Sequence, residues 1–151
     1  MDYIRDLRSL IGHRPLIVVV AGVLIFDETG RVLLQHRYDG HWGIPGGAME
    51  LGETLEETAR REVREETALE LGTLTMVAVH SGPEFFDRYP NGDEVSFVIA
   101  IYETREMHGS PIADGSETRD LAFFALDALP SNMLAVAWRV LDCYLANHDI
   151  G

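Results

Sequence analysis

The chain has 151 residues, 46% of them hydrophobic and 25% charged, with a formal net charge of −13. That length suits one domain with a continuous core, residues 1–151, and those proportions argue against a disordered or membrane-embedded chain. So large a negative charge repels a phosphate backbone, which excludes a broad electrostatic grip on duplex nucleic acid or an anionic membrane; an anionic substrate would need cations to mediate its contact.

Tyr3, Ile4, Leu7, Leu10 and Ile11 recur at helical spacing before Gly12, predicting a short amphipathic helix that is also a candidate homodimer element. Leu16 to Phe26 is rich in Val and Ile and predicts a strand buried on both faces, too short to cross a bilayer. A turn at Asp27-Glu28-Thr29-Gly30 leads to a second strand, Arg31 to His36, and the two are expected to pair as a hairpin. Tyr38 to Gly47 holds four glycines and Pro45, so it reads as loop with a short extended piece around Trp42 to Ile44.

Thr54 to about Leu71 carries the strongest helical signal, opening on the capping box Thr54-Leu55-Glu56-Glu57 and stopping at Gly72. Leu74 to His80 and Val95 to Tyr102 read as strands, separated by a long hairpin loop, Ser81 to Glu94. Leu121 to Ala125 is a further short strand. Asn132 to Asn147 is a terminal helix with Leu134, Ala137, Trp138, Leu141 and Leu145 along one side. The single cysteine, Cys143, can form no internal disulfide and fits a reducing compartment, so a soluble cytoplasmic protein is expected.

Glu62, Glu65 and Glu66 stand at i, i+3 and i+4, which puts three carboxylates on one helix face within an arc of roughly 100°. Leu55, Ala59 and Val63 fall on the adjoining arc, so the acids border the face that packs against a sheet, while Arg60 and Arg64 lie opposite. Like charges crowded beside a packed face call for a neutralising partner. Carboxylates are hard oxygen ligands suited to magnesium, and manganese also fits. A solvated acidic face is the other reading of the same spacing.

Around this helix the chain runs Gly47, five residues, Glu53, seven residues, Arg61-Glu62-Val63, one residue, Glu65-Glu66-Thr67, then Ala68-Leu69. This resembles the Nudix box throughout, with Ala68 where the family pattern has glycine. Val32-Leu33-Leu34, Arg37, Trp42-Gly43-Ile44-Pro45-Gly46-Gly47, Phe123-Phe124 and Leu129-Pro130 extend the likeness beyond the box. The resemblance implies an α/β fold, an α/β/α sandwich with a central mixed β-sheet. It also implies an enzyme that hydrolyses a diphosphate linkage in a nucleoside diphosphate joined to another group: a nucleoside triphosphate, an ADP-ribose-type nucleotide sugar or a dinucleoside polyphosphate. A non-catalytic Nudix-like module that senses a nucleotide is the alternative, against which the intact glutamate set argues.

Carried over by that resemblance, Glu62, Glu65 and Glu66 match metal ligands, with the Gly46 backbone carbonyl as a further one and Mg2+ or Mn2+ as the ion. Glu53 and Arg61 match supports of the site. The resemblance does not fix which glutamate takes water's proton; Glu62 is the first choice, and Glu117 in a later loop is either a contributor or a solvent-facing acid. Selectivity is expected outside the box. Arg37 reaches a phosphate or is simply exposed at a strand end, and Phe85, Phe86 and Tyr89 stack on a base or anchor their loop. Ala68 in place of glycine removes the usual left-handed stop, so the helix is expected to run on to Gly72.

Overall fold

The computed structural model describes residues 2–147. In chain order the elements are α1 (Tyr3–Ile11), β1 (Leu16–Ile25), β2 (Val32–Arg37), β3 (Trp42–Gly43), β4 (Gly46–Ala48), α2 (Leu55–Thr67), β5 (Glu70–Leu71) and β6 (Thr75–His80). A 3-10 turn at Pro83–Phe85 precedes β7 (Phe86–Arg88), followed by β8 (Glu94–Thr104), β9 (Met107–His108), β10 (Thr118–Phe124) and α3 (Ala135–Asn147).

The Val- and Ile-rich β1 is buried on both faces because its alternation serves two cores. Leu24, joined by Leu34, Ile99 and Ile101, packs with Val140, Leu141 and Tyr144 of α3. Ala21, Val23 and Ile25, joined by Leu33, pack with Ala59 and Val63 of α2. β1 runs parallel to β8 from Leu16↔Val95 to Ile25↔Thr104 and antiparallel to β4, while β6 and β7 pair antiparallel with β8. A second sheet has the order β10-β2-β3, and β5 pairs with β9. The result is the expected α/β/α arrangement around mixed sheet, with α2 on one face and α3 on the other. Among the described residues no helix is long and apolar enough to cross a membrane.

The structure corrects three expectations. The turn after β1 forms, with Asp27 Oδ1 accepting from the amides of Thr29 and Arg31, but β1 and β2 do not zip into a hairpin. Only Phe26↔Val32 bridges them, because β4 and β8 occupy both edges of β1, and β10 and β3 occupy both edges of β2. In α3 the buried side is Ala137, Val140, Leu141 and Tyr144, leaving Trp138 exposed; a packed helix buries i, i+3, i+4 and i+7 from one start, and that start is Ala137.

The third concerns Ala68. α2 stops at Thr67, and Ala68 takes the left-handed conformation, φ 64° and ψ 10°, with its amide on the Arg64 carbonyl. Packing overrides the cost. Leu69 is fully buried in the α2-side core, the Thr67 carbonyl accepts from Ile112, and Arg60 donates to the carbonyls of Leu71 and Gly72. All three contacts require the chain to turn at 68. Left-handed alanine costs about 1–2 kcal/mol against a smaller chain-entropy penalty for glycine, so Ala68→Gly should gain about 0.5–1 kcal/mol. That corresponds to a melting temperature higher by about 1–4 °C in a chain of this size, and an unchanged or lowered melt would refute the strain.

Candidate active site

The capping box fixes the start of α2: Thr54 Oγ1 accepts from the Glu57 amide at 3.1 Å, and Glu57 Oε1 accepts from the Thr54 amide at 3.0 Å. From that start the helical period buries Ala59 and Val63 in the core and brings Glu62 and Glu66 to the edge beneath β4. Glu66 is 5% exposed and Glu65 points outward.

Arg61 ties these acids to the preceding loop. Its Nε and Nη2 donate to the two oxygens of Glu53 at 2.6 and 3.0 Å, a bidentate pair. Nη1 donates to Glu62 at 2.9 Å and lies 3.4 Å from Glu65, and Nη2 also reaches the Ala48 carbonyl at 3.1 Å. Glu53 accepts in addition from the Glu50 amide and the Thr58 hydroxyl. With Arg61 as the largest cause, the Glu53 carboxyl is held down at about 2.

Glu66 is in the opposite position. Burial pushes its carboxyl up to about 8, and the neighbouring charges of Glu62 and Glu117 push the same way. The Gly46 amide donates to Oε1 at 2.9 Å and the Gln35 amide to Oε2 at 3.2 Å, which only partly offsets that rise. Burial also raises the Glu62 carboxyl, against the pull of Arg61 and with the push of Glu65 and Glu117. Glu53 and Arg61, Arg61 and Glu62, and Glu62, Glu66 and Glu117 therefore stand close enough to act on their neighbours in this series.

Gly46 and Gly47 are small because they must be. A side chain at Gly47 would run into the Glu62 carboxylate, and one at Gly46 into the backbone of Ala21 and Gly22. Met49 and Pro45 bond to β1, so by strand alternation Gly46 turns its amide and carbonyl away from β1, as its bond to Glu66 shows for the amide. The site thus offers hard oxygen donors, two of them carboxylates that repel each other, in a half-buried setting. That chemistry fits a divalent cation. Among the described residues no three acidic, His or Cys side chains already surround one point, and Glu65 would have to leave Arg61 to join the other two.

The remaining predicted residues are spread more widely. Arg37 lies opposite Thr118, the residue after Glu117, in the β2–β10 ladder, with Asp39 at 3.5 Å. Phe85 is buried against His80 and serves as the anchor of its loop, while Phe86 and Tyr89 are about two-fifths exposed. The charge of Arg37 reaches the Tyr89 hydroxyl. Two residues escaped the sequence reading: Gln35, which bonds Glu66, and Thr118, whose hydroxyl donates to Gln35 Oε1 at 2.6 Å. A polar residue directly after the apolar run Val32-Leu33-Leu34, within the same strand, is the available signal for Gln35. Nothing in the pattern of 114–120 marked Thr118.

A family model described as the NUDIX domain matches residues 16–143. The chain is 32% identical over 130 residues to an ADP-ribose pyrophosphatase of Methanocaldococcus jannaschii, covering 83% of this chain and 72% of that protein. It is also 32% identical over 115 residues to a putative 8-oxo-dGTP diphosphatase of Bacillus subtilis, covering 76% and 70%. Among solved structures, a MutT NUDIX hydrolase from Burkholderia pseudomallei superposes with a TM-score of 0.73 at 28% identity, covering 84% of this chain and 97% of that one. Fold, box geometry and relatives agree: the chain belongs to the Nudix family, as one of its pyrophosphohydrolases.

Proposed function

We propose that this enzyme hydrolyses a diphosphate linkage in a nucleoside diphosphate joined to another group, using a divalent cation held by Glu62, Glu65, Glu66 and the Gly46 carbonyl. The observation that carries this reading is Glu66: a carboxyl buried beside Glu62, raised to about 8, yet aligned by two donors that favour its ionised form. An apolar or neutral residue would fill that volume more cheaply, so the charge is kept for a cation. Mg2+ is the expected ion, and Mn2+ suits the same oxygens. When bound, the ion lowers the pKa of water and neutralises charge on the phosphate oxygens.

The chain's own groups supply the rest. Glu53 fixes Arg61, and Arg61 fixes the Glu62 side chain. Glu62, raised by burial, is suited to accept the proton of the attacking water, with Glu117 as the second acid facing the site. Water adds to one phosphorus, the bridging oxygen leaves with the other, and two phosphate products result. In this reading Arg37 meets a phosphate and Phe86 and Tyr89 border the nucleoside; their exposure and the influence of Arg37 on the Tyr89 hydroxyl support it. The lone Cys143 supports a cytoplasmic setting. ADP-ribose and 8-oxo-dGTP, taken from the relatives' names, are the first two substrates to offer alongside a dinucleoside polyphosphate. A product-resolved screen with Mg2+ or Mn2+ should release a nucleoside monophosphate from at least one; no turnover on any of the three would defeat the proposal.

Glu66→Gln should cut turnover by more than the roughly 10–100-fold that loss of a ligand's supporting partner costs, with the far-ultraviolet circular dichroism unchanged. A near-normal rate would remove Glu66 from the site. The same variant separates charge from fold. A carboxyl raised from 4.5 to about 8 on folding keeps its proton in the folded state across that interval. Stability is therefore favoured at the acid end and lost as pH climbs to about 8. With chelator present, urea unfolding at pH 5 and pH 8.5, values chosen as about the two ends of that window, should show this loss in the wild type and much less of it in Glu66→Gln. Equal slopes would mean that Glu66 ionises normally.

A further inference from the structure

The metal-site reading uses Gln35 only as a donor to Glu66 and gives Thr118 no role, yet both are buried, at 5% and 0% exposure. Gln35 follows Leu33 on the α2 face of β2, since residues two apart share a face. Leu121, its partner across the ladder, packs against the same core. By plain alternation Arg119 would come next on that face and Thr118 would point away. The ladder instead slips between Thr118 and Asp120, so Thr118 pairs with Arg37, while Arg119 and Asp120 are both exposed. This bulge turns the Thr118 hydroxyl inward onto Gln35.

Proton positions in this chain follow from valence. With a cation bound Glu66 is ionised and only accepts, so Gln35 presents Nε2 to it, as it does here, which leaves Oε1 pointing away and in need of a donor. The Thr118 hydroxyl has one proton and gives it to that oxygen at 2.6 Å. Without the hydroxyl this orientation is held by Glu66 itself and by a long bond, 3.5 Å, from Nε2 to the Ile44 carbonyl, while the flipped form would set an oxygen against the Glu66 carboxylate. Thr118 is itself held in place. Asp114 Oδ1 accepts from the amides of Ser116, Glu117 and Thr118, and the Tyr38 hydroxyl donates to the Gly115 carbonyl.

We propose that Gln35 and Thr118 are positioning residues: the Thr118 hydroxyl fixes the Gln35 amide, and the amide fixes the Glu66 carboxylate in the orientation that takes up a divalent cation. The proposal rests on the reading of Glu66 as a metal ligand. The same relay joins the loop carrying Glu117 to the carboxylate it faces, so the two acids are set by one hydrogen-bonded chain.

Titration of the purified protein with Mn2+ alone, following free ion by electron paramagnetic resonance, tests this without substrate. Thr118→Val keeps the shape and removes the hydroxyl, and it should weaken Mn2+ binding about 10-fold or more, the usual effect of removing a ligand's hydrogen-bond partner. Thr118→Ser should bind close to wild type. At saturating Mn2+ the valine variant should show a lower kcat with KM little changed. Gln35→Met should weaken binding in the same direction, and the double variant should be no worse than Gln35→Met, since both changes cut one chain. If Thr118→Val lowers the melting temperature but keeps wild-type Mn2+ affinity and kcat, Thr118 is a packing residue and the relay is refuted. If Gln35→Met fails to fold, the valine and serine pair at 118 carries the decision alone. A wild type that binds no Mn2+ overturns the metal-site reading itself, an outcome distinct from equal binding by wild type and valine variant.

Discussion

Arg61 joins the loop ahead of α2 to the helix itself, donating to both oxygens of Glu53, to Glu62 and to the Ala48 carbonyl, and the site is arranged around the charge it supplies. In a chain of net charge −13, carboxylates gathered at the edge of a core would otherwise drive the helix outward. Partly buried and bidentate, this pair differs from the many exposed ion pairs that add little. It also divides the acids into two kinds. Glu53 is fully compensated, whereas Glu62 is half compensated, and among the described residues no cationic side chain bonds Glu66.

That division explains how the fold tolerates its own site. The Gly46 and Gln35 amides supply two donors to Glu66, enough to order a charge but short of solvating it. Close packing of Ala59 and Val63 prevents α2 from rolling to expose the carboxyl, because the same turn of helix would lift both from the core. Glycine at 47 leaves no cushion between β4 and Glu62. Core packing therefore holds the acids where electrostatics alone would not.

The sequence disclosed what depends on local periodicity. The capping box, the buried Ala59 and Val63, and the placement of Glu62 and Glu66 at their border all follow from 3.6 residues per turn, and the structure has them so. Two features were illegible because they depend on distant partners. The pairing of β1 with β8 instead of β2 is settled by competition for strand edges, which no local pattern encodes. The left-handed Ala68 was misread for a related reason: backbone preference argued for a longer helix, but the burial of Leu69 and the bonds from Arg60 outweigh a cost of about 1 kcal/mol. Gln35 is visible only as the polar residue that ends the apolar run of β2, and Thr118 is hidden by a bulge that reverses the parity of its strand.

The separation of β1 and β2 into different sheets has a mechanical side. Within each sheet, ladders of backbone hydrogen bonds resist stretching, whereas the seam between β1 and β2 is bridged by Phe26↔Val32 and packed with apolar side chains. Glu66 spans that seam: one oxygen accepts from Gly46 of the first sheet, the other from Gln35 of the second. The carboxylate acts as a rivet between two stiff plates. Any slip of one plate against the other is felt first at that pair of oxygens.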